Sequence, residues 1–203
     1  AALPAMLGND ANFGVFARDV QITDHSTQLA ESHPELGMLI ISGFAKNSTK
    51  YTKKIVTRMV EAGIAPLASS LALQTVDEQT LQIVRRKNIR SDRYDDLADD
   101  FSALGLPVQT DLMVGLPGAT VESFLADLQH CFDRDITARM FMVMVLPNSP
   151  MNDPEYRSEH ELVTDERGIL VGASSYSRAD FDRMCSFRRL YRGADHFGVL
   201  RHL

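Results

Sequence analysis

The stretch Thr110–Phe124 reads TDLMVGLPGATVESF and carries a strand, a turn and the start of a helix in direct succession. Val108–Val114 is the strand. Gly115-Leu-Pro-Gly118 interrupts it, because proline lacks a main-chain donor and glycine enters conformations that other residues avoid. Thr120 stands where a hydroxyl caps a helix. Val121, Phe124, Leu125, Leu128 and Phe132 then recur at helical spacing, which predicts one apolar stripe. A strand running straight into an amphipathic helix is the repeating piece of a parallel α/β protein.

The same alternation extends in both directions. Upstream, Tyr94, Leu97, Phe101 and Leu104 share a helix face that Gly105 ends, and Thr75-Val-Asp-Glu78 reads as a capping box. That box opens a helix with Leu81 and Val84 inward and Arg85-Arg86-Lys87 in its last turn, where cations suit the helix dipole. Further back lie a strand at Ala65–Leu73, a helix over Thr49–Ala62 stopped by Gly63, and the buried-strand run MLIISG at Met38–Gly43. Downstream, Met140–Leu146 is strand-like and is stopped by Pro147 and Pro150. The units recur at roughly 30–40 residues, and periodicity does not choose between an open doubly wound sheet and an arc of a barrel. Residues 1–151 are expected to form this layered part and 152–203 an extension. In the extension, Asn152–Arg167 reads as a polar surface loop and Gly168–Ser174 as a short strand. Ser177-Arg-Ala-Asp180 reads as a capping box opening a helix to about Arg192.

Composition excludes several classes. The chain has 203 residues, 44% hydrophobic and 24% charged, long enough to bury a core without disulfide or metal staples. Its 21 basic against 27 acidic side chains, net −6, argue against nucleic acid as a partner. The apolar run at Met140–Leu146 is too short to span a bilayer, and Ala1–Gly8 has no signal-peptide pattern, so a cytoplasmic protein with no membrane partner is expected. Cys131 and Cys185 alone make neither a disulfide framework nor a cysteine metal site, and both read as small buried hydrophobes. The six histidines show no ligand spacing.

Ligands of parallel α/β folds sit beyond the carboxyl ends of the strands. The candidates are therefore Asp10 and Asn12 in DANFG, Lys46 in GFAKNS, Ser70 and Gln74 in SLALQ, Asp111 and Gly115 in DLMVGLPG, and Leu146 and Pro147 in VLPNSP. Each also has a plain structural reading. Asp10 and Asn12 suit turns, Lys46 suits a solvated helix start, and the Gly115–Gly118 turn suits a tight strand-to-helix connection. Gln74 is harder to explain away, since an amide at the end of an apolar strand needs a partner.

Taken in order, DANFG with ARDV, SGFAKN, LALQTVDEQTLQIVRRKNI, TDLMVGLPGATVESF and VLPNSP resemble successive segments of the radical S-adenosylmethionine superfamily, in the branch whose members often carry an N-terminal cobalamin-binding domain. The resemblance covers Asp10 to about Pro150 and only loosely the rest. It implies a partial (βα) TIM-type barrel with mostly parallel strands. It also implies S-adenosylmethionine as cofactor, a four-iron–four-sulfur cluster, cobalamin held by an upstream domain in that branch, and a small-molecule substrate. By the same resemblance, Asp10 and Asn12 fall near the methionyl amino group, and Ser70 and Gln74 near ribose and carboxylate. Asp111 and Gly115 fall beside the adenine, and Leu146 and Pro147 at its edge.

One departure stands out. The CxxxCxxC motif that supplies three thiolates to the cluster is absent. The expectation is a barrel portion missing its first βα unit, whose cluster belongs to an upstream part of the same parent chain, and which is inactive alone. Its own share would be to position nucleoside and substrate for 5′-deoxyadenosyl radical chemistry. A cluster-free module binding a nucleoside-like ligand or a partner protein is the alternative. A phosphate-binding enzyme is disfavoured, because neither a P-loop nor a Gly-x-Gly-x-x-Gly fingerprint is present. No Gly-x-Ser-x-Gly elbow of a hydrolase appears either.

Overall fold

The computed structural model describes residues 5–8, 13–36, 39–42, 51–65, 69–70, 72–86 and 91–199; for 5–8, 36, 39–42, 69–70 and 91–93 it describes the backbone alone. The chain divides into two compact units, residues 1–72 with 88–109, and 73–87 with 110–203.

In the first unit, β1 (Ala5–Gly8) and β2 (Leu39–Ser42) pair in parallel, Ala5 opposite Leu39. Parallel neighbours need a crossover, and α1 (Ala17–Ser32) lies between them in the chain. The buried Asp19 carboxylate holds the entrance of α1, accepting from Gly14 N at 2.9 Å and Phe16 N at 3.0 Å. Next come α2 (Thr52–Glu61), β3 (Ser69–Ser70) and α4 (Ser91–Ala103). Ile55, Val56 and Met59 of α2 are buried, and so are Tyr94, Leu97 and Phe101 of α4, the last three at the spacing expected for that helix. Gly63 and Gly105 end these helices at φ +69° and +73°, in the left-handed region that glycine enters without strain. β3 pairs in parallel with the start of β4 (Val108–Val114), Ser69 opposite Val108.

The second unit holds α3 (Glu78–Ile83), the rest of β4, α5 (Val121–Asp133), β5 (Thr137–Met142) beside β4, α6 (Pro154–Glu159), the antiparallel pair β6 (Val163–Thr164) and β7 (Leu170–Gly172), and α7 (Arg178–His196). Thr120 and Ser177 cap α5 and α7 as expected, accepting from Ser123 N and Asp180 N.

Four sequence expectations need correction. The cap of α3 is Asp77, whose carboxylate accepts from Thr80 N at 2.7 Å; the Thr75 hydroxyl is taken up elsewhere, and Thr80 rather than Leu81 is the buried residue of α3. The fifth strand begins at Thr137 and ends at Met142. Beyond it the chain turns to the 168–170 segment, with Val145 N donating to Gly168 O and Leu170 N to Val143 O. Asn152–Arg167 is no loop. Asp153 caps α6 with Pro154 in its first turn, and Tyr156 and Leu162 join a core with Leu116, Val143, Val145 and Leu170. Finally, Leu125 and Phe132 lie at the margin of the α5 stripe, 37% and 38% exposed, because α7 covers only part of that face.

Candidate functional site

Gln74 is the most constrained of the candidates. Its backbone adopts φ +66°, which a residue with a side chain rarely takes, and such outliers persist only where their surroundings over-determine them. Here they do. Gln74 N donates to Asp111 O at 2.7 Å, and Met113 N donates to Gln74 O at 2.8 Å, so Gln74 is bridged in parallel to Leu112 of β4. On the following residues, Asp127 of α5 accepts from the Thr75 hydroxyl at 3.1 Å and from Val76 N at 2.7 Å. Asp127 is 3% exposed, and burial raises its carboxyl to about 7 against the pull of these two hydrogen bonds. The half-buried Gln74 amide is thus carried at a strand end by a backbone clamped on both sides.

Asp111 lies on the opposite face of β4 from the buried Thr110, Leu112 and Val114. Arg139 of β5 reaches it with Nη2 at 2.6 Å and Nε at 2.8 Å from Oδ1. Since Ala138 and Met140 are buried, Arg139 and Phe141 share this open face with Asp111 and Met113. The face offers a hydrogen-bonding ion pair bordered by thioether and aromatic surface, which suits holding a polar ligand with an apolar portion.

Gly115 and Gly118 have φ of +83° and +93°. A Cβ on Gly115 would meet the Tyr176 hydroxyl and Phe181 at 3.0–3.2 Å, and Tyr176 donates to Gly115 O at 2.7 Å. A Cβ on Gly118 would meet Ile83 Cδ1 at 2.6 Å. Both glycines therefore let the protein pack against itself, and the space beside each Cα is filled by side chains of this unit. After β5, Leu146 is 55% exposed. Its carbonyl accepts from Ser149 N and Oγ, that of Pro147 accepts from Asn152 Nδ2, and the Leu146 N–H donates to no group among the described residues.

Gln74, Asp111, Gly115, Leu146 and Pro147 thus fall in one unit, with Gln74 and Asp111 in direct contact through the backbone. Ser70 lies in β3, where only its backbone is described; Asp10, Asn12 and Lys46 lie outside the described residues. Sequence reading missed Asp127, Arg139 and Tyr176. An aspartate on the inner side of an amphipathic helix was the available signal for Asp127; Arg139 and Tyr176 have none at the level of spacing.

The thiols do not fit a cluster. Cys131 of α5 is fully buried, its thiol pushed to about 12 by burial and by nearby Asp127, and Cys185 of α7 is raised by burial as well. Among the described residues no three His, Cys, Asp or Glu side chains group as metal ligands. No helix of these residues is long and apolar enough to cross a membrane.

No family model matches the chain. It is 33% identical over 167 residues to the cobalamin-dependent radical SAM methyltransferase TokK of Streptomyces tokunonensis, covering 80% of this chain. It is 30% identical over 168 residues to the 2-(S-pantetheinyl)-carbapenam-3-carboxylate methyltransferase of Streptantibioticus cattleyicolor, again over 80% of the chain. The chain spans about a quarter of the length of each, 24%. Among solved structures it resembles the radical S-adenosylmethionine methyltransferase TsrM from Kitasatospora setae, described with cobalamin and a 4Fe-4S cluster bound. The TM-score is 0.61 at 13% identity, over 89% of this chain and 37% of that one. The last likeness shows the fold, an α/β partial barrel with parallel strands, and the first two are too extensive for chance, so the chain belongs to the radical S-adenosylmethionine superfamily.

Proposed function

We propose that this chain forms the nucleoside- and substrate-positioning side of a radical S-adenosylmethionine enzyme, and that the reaction it serves is methyl transfer with cobalamin, as the names of its relatives indicate for them. The clamped left-handed Gln74 beside Asp111 carries the reading, because strain held this firmly at a strand end is the mark of a side chain placed for a ligand. S-adenosylmethionine, when bound, supplies the reactive group. The protein's share is orientation. The Gln74 amide bonds a ribose hydroxyl or the carboxylate, the Asp111–Arg139 pair meets polar edges, and the Leu146 N–H takes an acceptor on the adenine. Neither cysteine fits a cluster, so no step of that chemistry is assigned to this chain's residues.

The test is a titration of the isotopically labelled chain with S-adenosylmethionine, followed by amide shifts. Shifts are expected at Gln74, Asp111 and Leu146. Gln74→Gly separates side chain from backbone: it relieves the positive φ and raises stability, yet weakens binding. Unchanged binding by that variant, or shifts confined to other parts of the chain, sinks the reading.

A further inference from the structure

Between β5, from Thr137 to Phe141, and the last turns of α7 lies a cleft of about 730 Å³. Arg188, Arg189, Arg192 and His196 of α7 line it, with Asp195 as the one carboxylate of the lining and Arg139 already paired with Asp111. In a chain of net charge −6 this is a local concentration of the opposite sign. Arg188 is half-buried, and its Nε donates to Met140 O at 3.1 Å. That bond ties the guanidinium to the strand through Nε, and its two terminal nitrogens make no hydrogen bond among the described residues, which leaves donors able to take an oxyanion in bidentate fashion. Arg189 and Arg192 are exposed, and neither forms an ion pair among the described residues. Guanidiniums at i and i+4, as at 188 and 192, repel along a helix, and a bound oxyanion would relieve that repulsion.

We propose that this cleft binds a small molecule bearing an oxyanion, phosphate or carboxylate, seated on Arg188, Arg189 and Arg192. The volume is that of a metabolite site, within roughly 300–1,000 Å³. A macromolecular polyanion is disfavoured because the acidic remainder of the chain repels it. An acidic peptide added along β5 is disfavoured because Arg188 already occupies the outward carbonyl of Met140. The cleft runs along β5 from Thr137 to Phe141 and shares Arg139 with the nucleoside reading, but its seat is Arg188, Arg189 and Arg192 of α7, which that reading does not use, so the variants below test it separately.

Calorimetric titration of the whole chain at low salt tests it, with pyrophosphate and citrate as probes. Arg189→Ala with Arg192→Ala, both at exposed positions, should weaken binding by about tenfold or more. Arg178→Ala with Arg183→Ala on the same helix removes equal charge outside the cleft and should leave affinity within about twofold. Arg188→Lys keeps the charge and loses the fixed fork, and should weaken binding too. Preference for pyrophosphate identifies a phosphate-bearing ligand, and preference for citrate a polycarboxylate; either supports the site. Failure of both probes to saturate, equal losses in the two double variants, undiminished binding by Arg188→Lys, or tighter binding of duplex DNA or an acidic peptide than of either probe would each overturn it.

Discussion

Asp127 is one carboxylate doing the work of a strut. It lies 51 residues along the chain from Val76, whose N–H it accepts, and among the described residues it has no cationic partner. Its raised pKa sets the sign of a pH effect. The folded state holds this proton between 3.8 and about 7 while the unfolded chain has released it, so the contribution to stability is full below that window and is lost as pH rises through it. The loss amounts to at most about 4 kcal/mol. Melting temperature should therefore fall across that range more steeply in the native protein than in Asp127→Asn, which keeps an acceptor without a charge; coincident profiles would contradict the assignment. The glycines make a second test at this scale. Gly118→Ala must fit a Cβ 2.6 Å from Ile83 Cδ1 at a positive φ, and should cost about 2–4 kcal/mol in denaturant unfolding. Gly63→Ala meets nothing within 4 Å and bears the backbone strain alone, about 1 kcal/mol.

Among elements, α7 ties the second unit together. Its N-terminal half buries Phe181, Met184 and Cys185, and the preceding Tyr176 donates to Gly115 O. Tyr176→Phe leaves that buried carbonyl without its partner and should cost about 1–2 kcal/mol, read as a lower denaturant midpoint at unchanged slope. The C-terminal half differs. Leu190 is 69% exposed beside the apolar groove it lines with Leu125 and Phe132, and the basic cleft opens on its other side. An extension expected to be a polar loop, a short strand and a helix is thus packed into the core of the strands it follows, because Tyr156, Leu162 and Leu170 share one cluster with Leu116 and Val143.

At the scale of the molecule, the family and the thiols point in different directions, and a single measurement addresses both. Reconstitution of this chain with iron and sulfide should give no stoichiometric cluster absorption, since both cysteines are buried and hold their protons tightly. A stoichiometric cluster lost on Cys131→Ala or Cys185→Ala would show that the helices open to expose them. Nucleoside binding by the same chain is expected to need no iron.

What the sequence alone determined is local in origin. The strand Val108–Val114, the Thr120 and Ser177 caps, the inward face of α4 and the glycine stops follow from side-chain periodicity and backbone allowance within a few residues. The candidate segments could be picked out for the same reason, as a succession of strand ends. Gln74 was readable as an amide in need of a partner, but its left-handed backbone was not, because that conformation is imposed by β4 on one side and Asp127 on the other. The Asp111–Arg139 pair and the meeting of Arg188 with β5 likewise join residues distant in the chain. Only tertiary structure decided those, since a hydrogen bond or ion pair across that separation exists only once packing has brought its two ends within about 3 Å.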